Sequence, residues 1–328
     1  MTHRTQYGAS IKARAVYLAV EQMIPYERIQ EQFRHDANIL IATGSFVNFK
    51  HEIFEQLIKL QFDKAAKQAL ITAEIAHSDE TSINISGKRV WLHGASNEAW
   101  SWFEPHEKRG CEAMHAIGIL PGFQGLLVHD HWKSYFSYSC KHALCNAHHK
   151  RELTRAFEQD GQKWAGKMRD FLLELHEEVN MTKQKKLTRT KTIKRQEAYR
   201  SLLLDAEKEC PEKKAPPGKK QRPAQTKSRN LLERLRDYEK EALRFMSESI
   251  APFTNNLGER DIRMSKVQQK ISGCFISMKT AKEHYVIKSY ISTCKKNNVS
   301  ASEALSVLFD DKLPAFIQKK IEEIPNTS

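Results

Sequence analysis

The order of strand-like and helix-like segments between residues 75 and 150 is the feature that most constrains the fold. A hairpin with a Ser-Gly-Lys turn and a third strand come first, then a helix at 108–118, then short apolar runs typical of buried parallel strands. This pattern predicts five strands, at residues 75–85, 89–95, 100–105, 125–130 and 143–146. Antiparallel strands followed by a helix and further strands predict an α/β fold.

Helical periodicity dominates the rest of the chain. Within residues 1–74 the apolar pattern predicts helices at 11–23 and 25–35. It then predicts a turn at 43–45 and one long helix from 46 to 73. The helices flanking that turn are consistent with a helix-turn-helix that presents Asn48 and Lys50 to DNA, or with a plain helical packing region. Further helices are expected after residue 150, interrupted by an exposed Pro- and Lys-rich loop at 211–228.

The charge distribution points to a polyanionic partner. The chain has 53 Lys and Arg against 40 Asp and Glu, a net charge of +13, and residues 181–240 alone hold 19 against 8. This concentration favours nucleic acid, although a solvated loop would show the same charge. No apolar run is long enough to span a membrane, and the six Cys include no CxxC pair. We therefore expect a cytoplasmic, nucleoid-associated protein with no membrane partner.

Three carboxylates occupy informative positions. Asp79 lies inside a predicted strand, where Asp is disfavoured, and Asp130 ends an apolar run, where ligands of α/β sheets gather. Their alternatives are a turn or edge position for Asp79 and a cap for Asp130. Glu259 is followed on one helical face by three cations, Arg263, Lys266 and Lys270. They could hold phosphates beside a metal-binding carboxylate, or Arg263 could simply pair with Glu259.

Several stretches together resemble the insertion-sequence-sixty-six family of bacterial transposases. In chain order these are TQYG near the start, PYERI at 25–29, HSDET at 77–81, GKRVWLH at 87–93, AIGILPGFQG at 116–125, LVHDHWKSY at 127–135, HALCNAHHKREL at 142–153, RNLLERLRDYE at 229–239 and PFTNNLGERDIRMSKVQQKISGCF at 252–275. One departure is Gly258, where the family usually has Ala before the Glu. Because Gly weakens a helix, we expect the Glu259 helix to begin later or to be looser.

The resemblance implies a ribonuclease-H-like mixed sheet with a catalytic Asp-Asp-Glu triad, here Asp79, Asp130 and Glu259. These three would bind Mg²⁺, with Mn²⁺ as a substitute, because hard divalent cations prefer carboxylate oxygens. It also implies a set of residues that border the site: Cys145, His148, Arg151 and Asn256. Cys145 and His148 have ligand-like spacing for zinc, and His129 or His131 could approach them in space. No second local ligand pair accompanies them, so zinc is not expected. Lys133, close behind Asp130, is a candidate DNA contact.

The predicted organisation has four parts. They are a helical N-terminal region at 1–74, the first part of the catalytic core at 75–158, a large basic helical insertion at 159–250, and the Glu helix with C-terminal helices at 251–328. The expected function is DNA transposition by strand cleavage and transfer, on element ends and target DNA. A non-catalytic DNA-binding remnant that competes or represses at element ends, and a nuclease of the same fold, are the alternatives. We also expect a homo-oligomer on DNA, accessory proteins of the same element, and the absence of the upstream zinc-binding segment that longer relatives carry.

Overall fold

The computed structural model describes residues 7–214 and 223–324. It confirms an α/β fold with a helical N-terminal region and an open, mixed sheet of five strands. The described residues form two compact units. The first contains residues 7–125, 134–140 and 256–324, and the second contains residues 126–133 and 141–255.

Four helices open the first unit. They are α1 (Ala9–Val16), which continues into a π-helical turn (Tyr17–Glu21), α2 (Tyr26–Ala37), α3 (Thr43–Lys59) and α4 (Phe62–Ile71). The single long helix expected from 46 to 73 is wrong, because Gln61 adopts a left-handed conformation with φ of 60° and separates α3 from α4. No Gly or Pro marks this break in the sequence.

Three antiparallel strands follow: β1 (Ile75–Ile85), β2 (Lys88–Ser96) and β3 (Ser101–His106). The β1–β2 connection is a two-residue turn in which Ser86 and Gly87 both have positive φ, 48° and 79°. Turns of this kind match the right-handed twist of a hairpin, which explains why the Ser-Gly-Lys signal located the turn correctly. Helix α5 (Cys111–Ile117) comes next.

The second unit contains two parallel strands and a group of helices. They are β4 (Leu126–His129), β5 (Lys141–Leu144), α6 (Asn146–Glu158), α7 (Lys163–Met181), α8 (Arg189–Glu209), α9 (Lys227–Asp237) and the short α10 (Glu239–Ala242). Leu153, Leu172 and Leu231 are among the fully buried side chains of their common core. Residues 211–214 and 223–226 of the expected loop have no regular structure, and its middle lies outside the described residues.

Four C-terminal helices complete the first unit: α11 (Asn256–Ser272), α12 (Met278–Lys296), α13 (Ala301–Leu308) and α14 (Ala315–Glu322). Helix α12 packs along β3, and its side-chain hydroxyls satisfy backbone groups of that strand. The N–H of Phe103 donates to Ser289 Oγ at 2.9 Å, and the N–H of Ser101 donates to Thr293 Oγ1 at 3.1 Å. The helix thereby covers a strand edge that would otherwise invite pairing with another chain.

Candidate active site

Asp79 projects from the face of the sheet that α11 covers. In the β1–β2 register it lies directly opposite Gly94, and opposed residues of an antiparallel pair share a face. A methyl group at Gly94 would lie 3.3 Å from Phe103 and 3.5 Å from Ile262 of α11. Asp79 is half-buried, and its Oδ1 accepts a hydrogen bond from the N–H of Glu80 at 2.9 Å.

Glu259 lies in the first turn of α11, three residues before the buried Ile262. Farther along the helix, the Lys266 ammonium donates to the Ser82 backbone oxygen and, at 3.0 Å, to Ser82 Oγ. The contacts at Ile262 and Lys266 show that α11 advances in the same direction as β1. Glu259 therefore lies toward the half of β1 that carries Asp79, and the structure brings the elements of these two carboxylates together.

The expected late start of the Glu259 helix is wrong. Helix α11 begins at Asn256, and Gly258 lies within its first turn at a buried position. The intrinsic cost of one Gly, about 1 kcal/mol relative to Ala, is smaller than what packing of the helix against the sheet supplies.

Asp130 follows the last residue of β4 in the second unit, at the carboxyl end of a parallel strand as predicted. Its Oδ1 accepts a hydrogen bond from the N–H of Trp132 at 2.9 Å, which orients the half-buried carboxylate. This is the bond of an Asx turn, so Asp130 also shapes the loop. Its convergence with Asp79 and Glu259 stays a prediction.

Glu80 is a buried acidic residue that sequence reasoning missed. Its side chain is 1% exposed and forms an ion pair with Arg109 at 2.6 Å. The Tyr135 hydroxyl donates to its other oxygen at 2.5 Å, and burial together with the Glu80 charge holds the pKa of Tyr135 well above its ordinary value. The Arg109 guanidinium lies 4.7 Å from the centre of the Trp91 ring. The strand alternation itself was the available signal, because neighbours in a strand face opposite sides.

The residues expected to border the site fall in both units. Cys145 is buried just before α6, and its sulfur accepts a hydrogen bond from the N–H of Asn255 at 3.1 Å. His148 is half-buried and Arg151 exposed on α6, whereas Asn256 is the exposed first residue of α11 in the first unit. Their role at the site, and the expected absence of zinc, stay predictions.

Two pairs of imidazoles lie in the second unit. His129 Nε2 lies 2.9 Å from His142 Nδ1, and His131 Nδ1 lies 3.4 Å from His149 Nε2. Burial lowers the pKa of His129 and of His149 to about 3, and that of His131 to about 4. These three rings are therefore neutral at physiological pH.

The cations of α11 divide into two kinds. Arg263 and Lys270 are exposed, whereas Lys266 is directed toward Ser82, and burial lowers the pKa of its ammonium. Lys133, behind Asp130, is exposed. Arg263, Lys270 and Lys133 are thus accessible to DNA phosphates, and Lys266 secures the helix to β1.

The two residues expected on a DNA-reading helix are placed differently in α3. Asn48 is exposed, but Lys50 is only 8% exposed and its ammonium lies 5.4 Å from the centre of the Tyr26 ring in α2. Lys50 therefore belongs to the interior of the first unit, which agrees with the packing alternative at this position.

Some cations of the basic segment, residues 181–240, form ion pairs and others do not. Lys191 pairs with Glu178 at 3.2 Å and Arg200 with Glu239 at 2.9 Å, so part of the excess is neutralised locally. Five exposed cations just before or early in α8 have no ion-pair partner among residues 7–214 and 223–324: Lys183, Lys185, Lys186, Arg189 and Lys194. They are the strongest candidates in this segment for phosphate contacts.

An α/β core with acidic side chains on β1 and the adjoining α11, together with a basic helical unit, suits a protein that acts on DNA. The comparison with protein families gives the particular class: residues 4–283 match the Transposase IS66 family, and the chain belongs to this family. This membership supports a transposase function. No curated protein matches the chain. Among the described residues, no helix is both long and apolar enough for a membrane span.

Proposed function

We propose that this protein cuts DNA at the ends of an insertion sequence and joins the freed 3′-hydroxyl to target DNA, using Asp79, Asp130 and Glu259. The observation that carries the proposal is the packing of α11 on β1, which brings the helix that carries Glu259 against the strand that carries Asp79. Family membership supports the reaction class, and the position of Asp130 after a parallel strand supports its inclusion.

The donor set fits Mg²⁺ or Mn²⁺. All three side chains are half-buried carboxylates, which are hard oxygen ligands that remain accessible to a phosphate and to water. When bound, a pair of such ions activates the attacking oxygen and stabilises the leaving oxygen of an in-line displacement at phosphorus. The chain itself orients two of the ligands through backbone donors, the N–H of Glu80 for Asp79 and the N–H of Trp132 for Asp130.

DNA would be held mainly by exposed cations. Arg263 lies about one helical turn after Glu259, so a phosphate bound there would lie close to that carboxylate, whereas Lys270 would bind a phosphate about three turns along the same helix. The exposed cations around the start of α8 that have no ion-pair partner would add sequence-independent affinity from the second unit. Assembly into an oligomer on DNA, and cooperation with other proteins of the element, belong to the same proposal.

A cleavage-and-joining assay on duplexes that carry the element's own ends tests this function. We expect Asp79→Asn and Asp130→Asn to abolish Mg²⁺-dependent cleavage while DNA binding persists, because each keeps the shape of the side chain and removes a ligand charge. Asp36→Asn, at an exposed position in α2, is the matched control and should cleave as the wild type does.

The outcomes separate the competing functions. Cleavage without joining would identify a nuclease, and a wild-type protein that binds ends but never cleaves would identify a non-catalytic remnant. Cleavage by Asp79→Asn at the wild-type rate would remove Asp79 from the metal-binding set.

A further inference from the structure

A pocket of about 280 Å³ lies in the first unit, and its lining includes neither Asp79 nor Glu259. It is a cleft lined by residues of helices α2, α3, α11 and α12 and of the loop after α11. Its lining includes Pro25, Tyr26, Lys50, Gln268, Phe275 and His284. The volume is near the lower limit of small-molecule sites, roughly 300–1,000 Å³, so it suits one compact ligand.

Lys50 gives the pocket its charge. The side chain is 8% exposed, yet its ammonium forms no ion pair or hydrogen bond with any residue of the described chain. Glu283 attracts it electrostatically, but that carboxylate is bonded to His51 at 2.9 Å and also faces Lys279 at 3.9 Å. A buried ammonium without an acceptor is costly, so an anion entering the pocket would gain a strong partner.

His284 adds no second charge. Burial, with the positive charges of Lys50 and Lys288, holds the pKa of this imidazole well below its ordinary value. Lys50 is therefore the single cation among the described lining residues. The pocket consequently favours a ligand with one anionic group at one end.

Gln268 supplies a directional polar group. Its side chain is 8% exposed, and its Oε1 is buried without a hydrogen-bond donor among the described residues. A buried amide oxygen left without a donor loses the hydrogen bonds that it would make in water, which is unfavourable. The ligand should therefore carry an N–H group.

Most of the remaining lining is apolar, and one part of it is held by the sheet. The N–H of Phe275 donates to the Asn84 oxygen at 3.1 Å, and the Phe275 oxygen accepts from the N–H of Ser86 at 2.8 Å. This anchors the loop to the β1–β2 turn, while Ile276 beside it is 82% exposed. A flat ring could pack against this fixed apolar surface.

We propose that this pocket binds one nucleotide, with its phosphate on the Lys50 ammonium and an N–H group of its base on Gln268 Oε1. All four DNA bases combine a flat ring with N–H groups on their pairing edge, and a phosphate supplies the anion. The nucleotide could be one unpaired from a DNA strand or a free nucleotide; only the first source rests on the proposed function.

Fluorescence anisotropy with the full chain tests the pocket. The probes are a fully paired duplex, the same duplex with one unpaired adenosine, and the same duplex with an abasic site at that position; free dAMP is tested separately. Because contacts to one base contribute about 1–3 kcal/mol, we expect the unpaired adenosine to tighten binding by at least about fivefold over the other two duplexes.

Two variants and a control locate the effect. Lys50→Met and Gln268→Met should abolish the preference for the unpaired adenosine, whereas Lys64→Met, which removes an exposed cation from α4, should retain it. Thermal unfolding of each variant verifies that it is folded. Saturable dAMP binding that Lys50→Met abolishes, with no preference among duplexes, would assign the pocket to a free nucleotide.

The proposal is overturned if the wild type shows neither the preference nor dAMP binding, or if folded Lys50→Met behaves as the wild type does. Binding of these probes does not depend on strand cleavage. A wild type that never cleaves but selects the unpaired adenosine would refute the proposed catalysis and leave the pocket standing.

Discussion

Replacing Lys50 by Met should stabilise the protein at neutral pH. Burial lowers the pKa of this ammonium from 10.5 to about 8, although Glu283 opposes the shift. A difference of roughly 2.5 pH units corresponds to about 3 kcal/mol at about 1.4 kcal/mol per unit, which is the cost of keeping the charge in the folded state. Met has a similar length and volume and carries no charge, so the variant avoids that cost.

The pH dependence gives this prediction a defined sign. Below about pH 8, Lys50 is protonated in both the folded and the unfolded state, and the full cost is present. Between the two pKa values the unfolded chain binds a proton that the folded protein does not, so the free energy of unfolding of the wild type rises with pH. The advantage of Lys50→Met should therefore shrink by about 1.4 kcal/mol per pH unit in this window.

Urea unfolding of both proteins at several values between about pH 7 and pH 10 measures the difference, since titrations common to both cancel. Lys64→Met is the control and should show no such trend, because Lys64 is exposed. A Lys50→Met protein that is less stable than the wild type at pH 7, or a difference that does not change with pH, would show that the ammonium is already stabilised by the fold. The pocket would then offer an anion no uncompensated charge.

Three further predictions concern other parts of the chain. Replacing five cations of the basic segment by Gln, namely Lys183, Lys185, Lys186, Arg189 and Lys191, should weaken the salt dependence of DNA binding. The slope of log affinity against log salt should become shallower by about 0.9 for each phosphate that the protein no longer neutralises. An unchanged slope in a salt titration would show that these residues do not contact DNA phosphates. Glu80→Gln should lower the free energy of unfolding by about 1–3 kcal/mol, because it removes the negative charge that pairs with Arg109 and accepts a hydrogen bond from Tyr135. Chemical denaturation should detect the decrease. Gln61→Gly should raise thermal stability by up to about 1 kcal/mol, since Gly adopts φ of 60° without strain; a lower melting temperature would contradict this.

The strands could be predicted from the sequence because their signals are local. The alternation in β1 and the Gly-containing turn fix a hairpin within a few residues, and the observed strand Ile75–Ile85 has the predicted bounds. The break between α3 and α4 could not be predicted, because Gln61 takes a left-handed conformation through its surroundings and has no intrinsic preference for it. Local preference thus located the turn of the hairpin and missed the break between the helices.

Part of the candidate site could be predicted from the sequence. Family resemblance selected Asp79 and Glu259, and the fold places their elements together, but 180 positions separate them and no local pattern links them. The sequence could not show whether a lysine on a helix points to solvent or into the protein, because this depends on what packs against each face of the helix. Lys50 and Lys266 both resemble surface lysines in sequence, yet one lines a pocket and the other is bonded to Ser82.

The two adjacent acidic residues of β1, Asp79 and Glu80, lie on opposite faces of the strand and make different contacts. Successive side chains of a strand point to opposite faces, so Asp79 faces α11 and Glu80 faces Arg109 and Tyr135 on the other side. The ion pair and hydrogen bond of Glu80 fix the strand at this point, and its backbone N–H is the group that donates to Asp79 Oδ1. In the proposed function Asp79 is a metal ligand, and a ligand held in place by such a rigid neighbour keeps its geometry. Glu80 cannot substitute for Asp79, because it faces away from α11 and its oxygens are already bonded. The pair therefore predicts that Glu80→Gln weakens Mg²⁺-dependent cleavage less than Asp79→Asn does, and a defect as complete as that of Asp79→Asn would place Glu80 itself among the metal ligands.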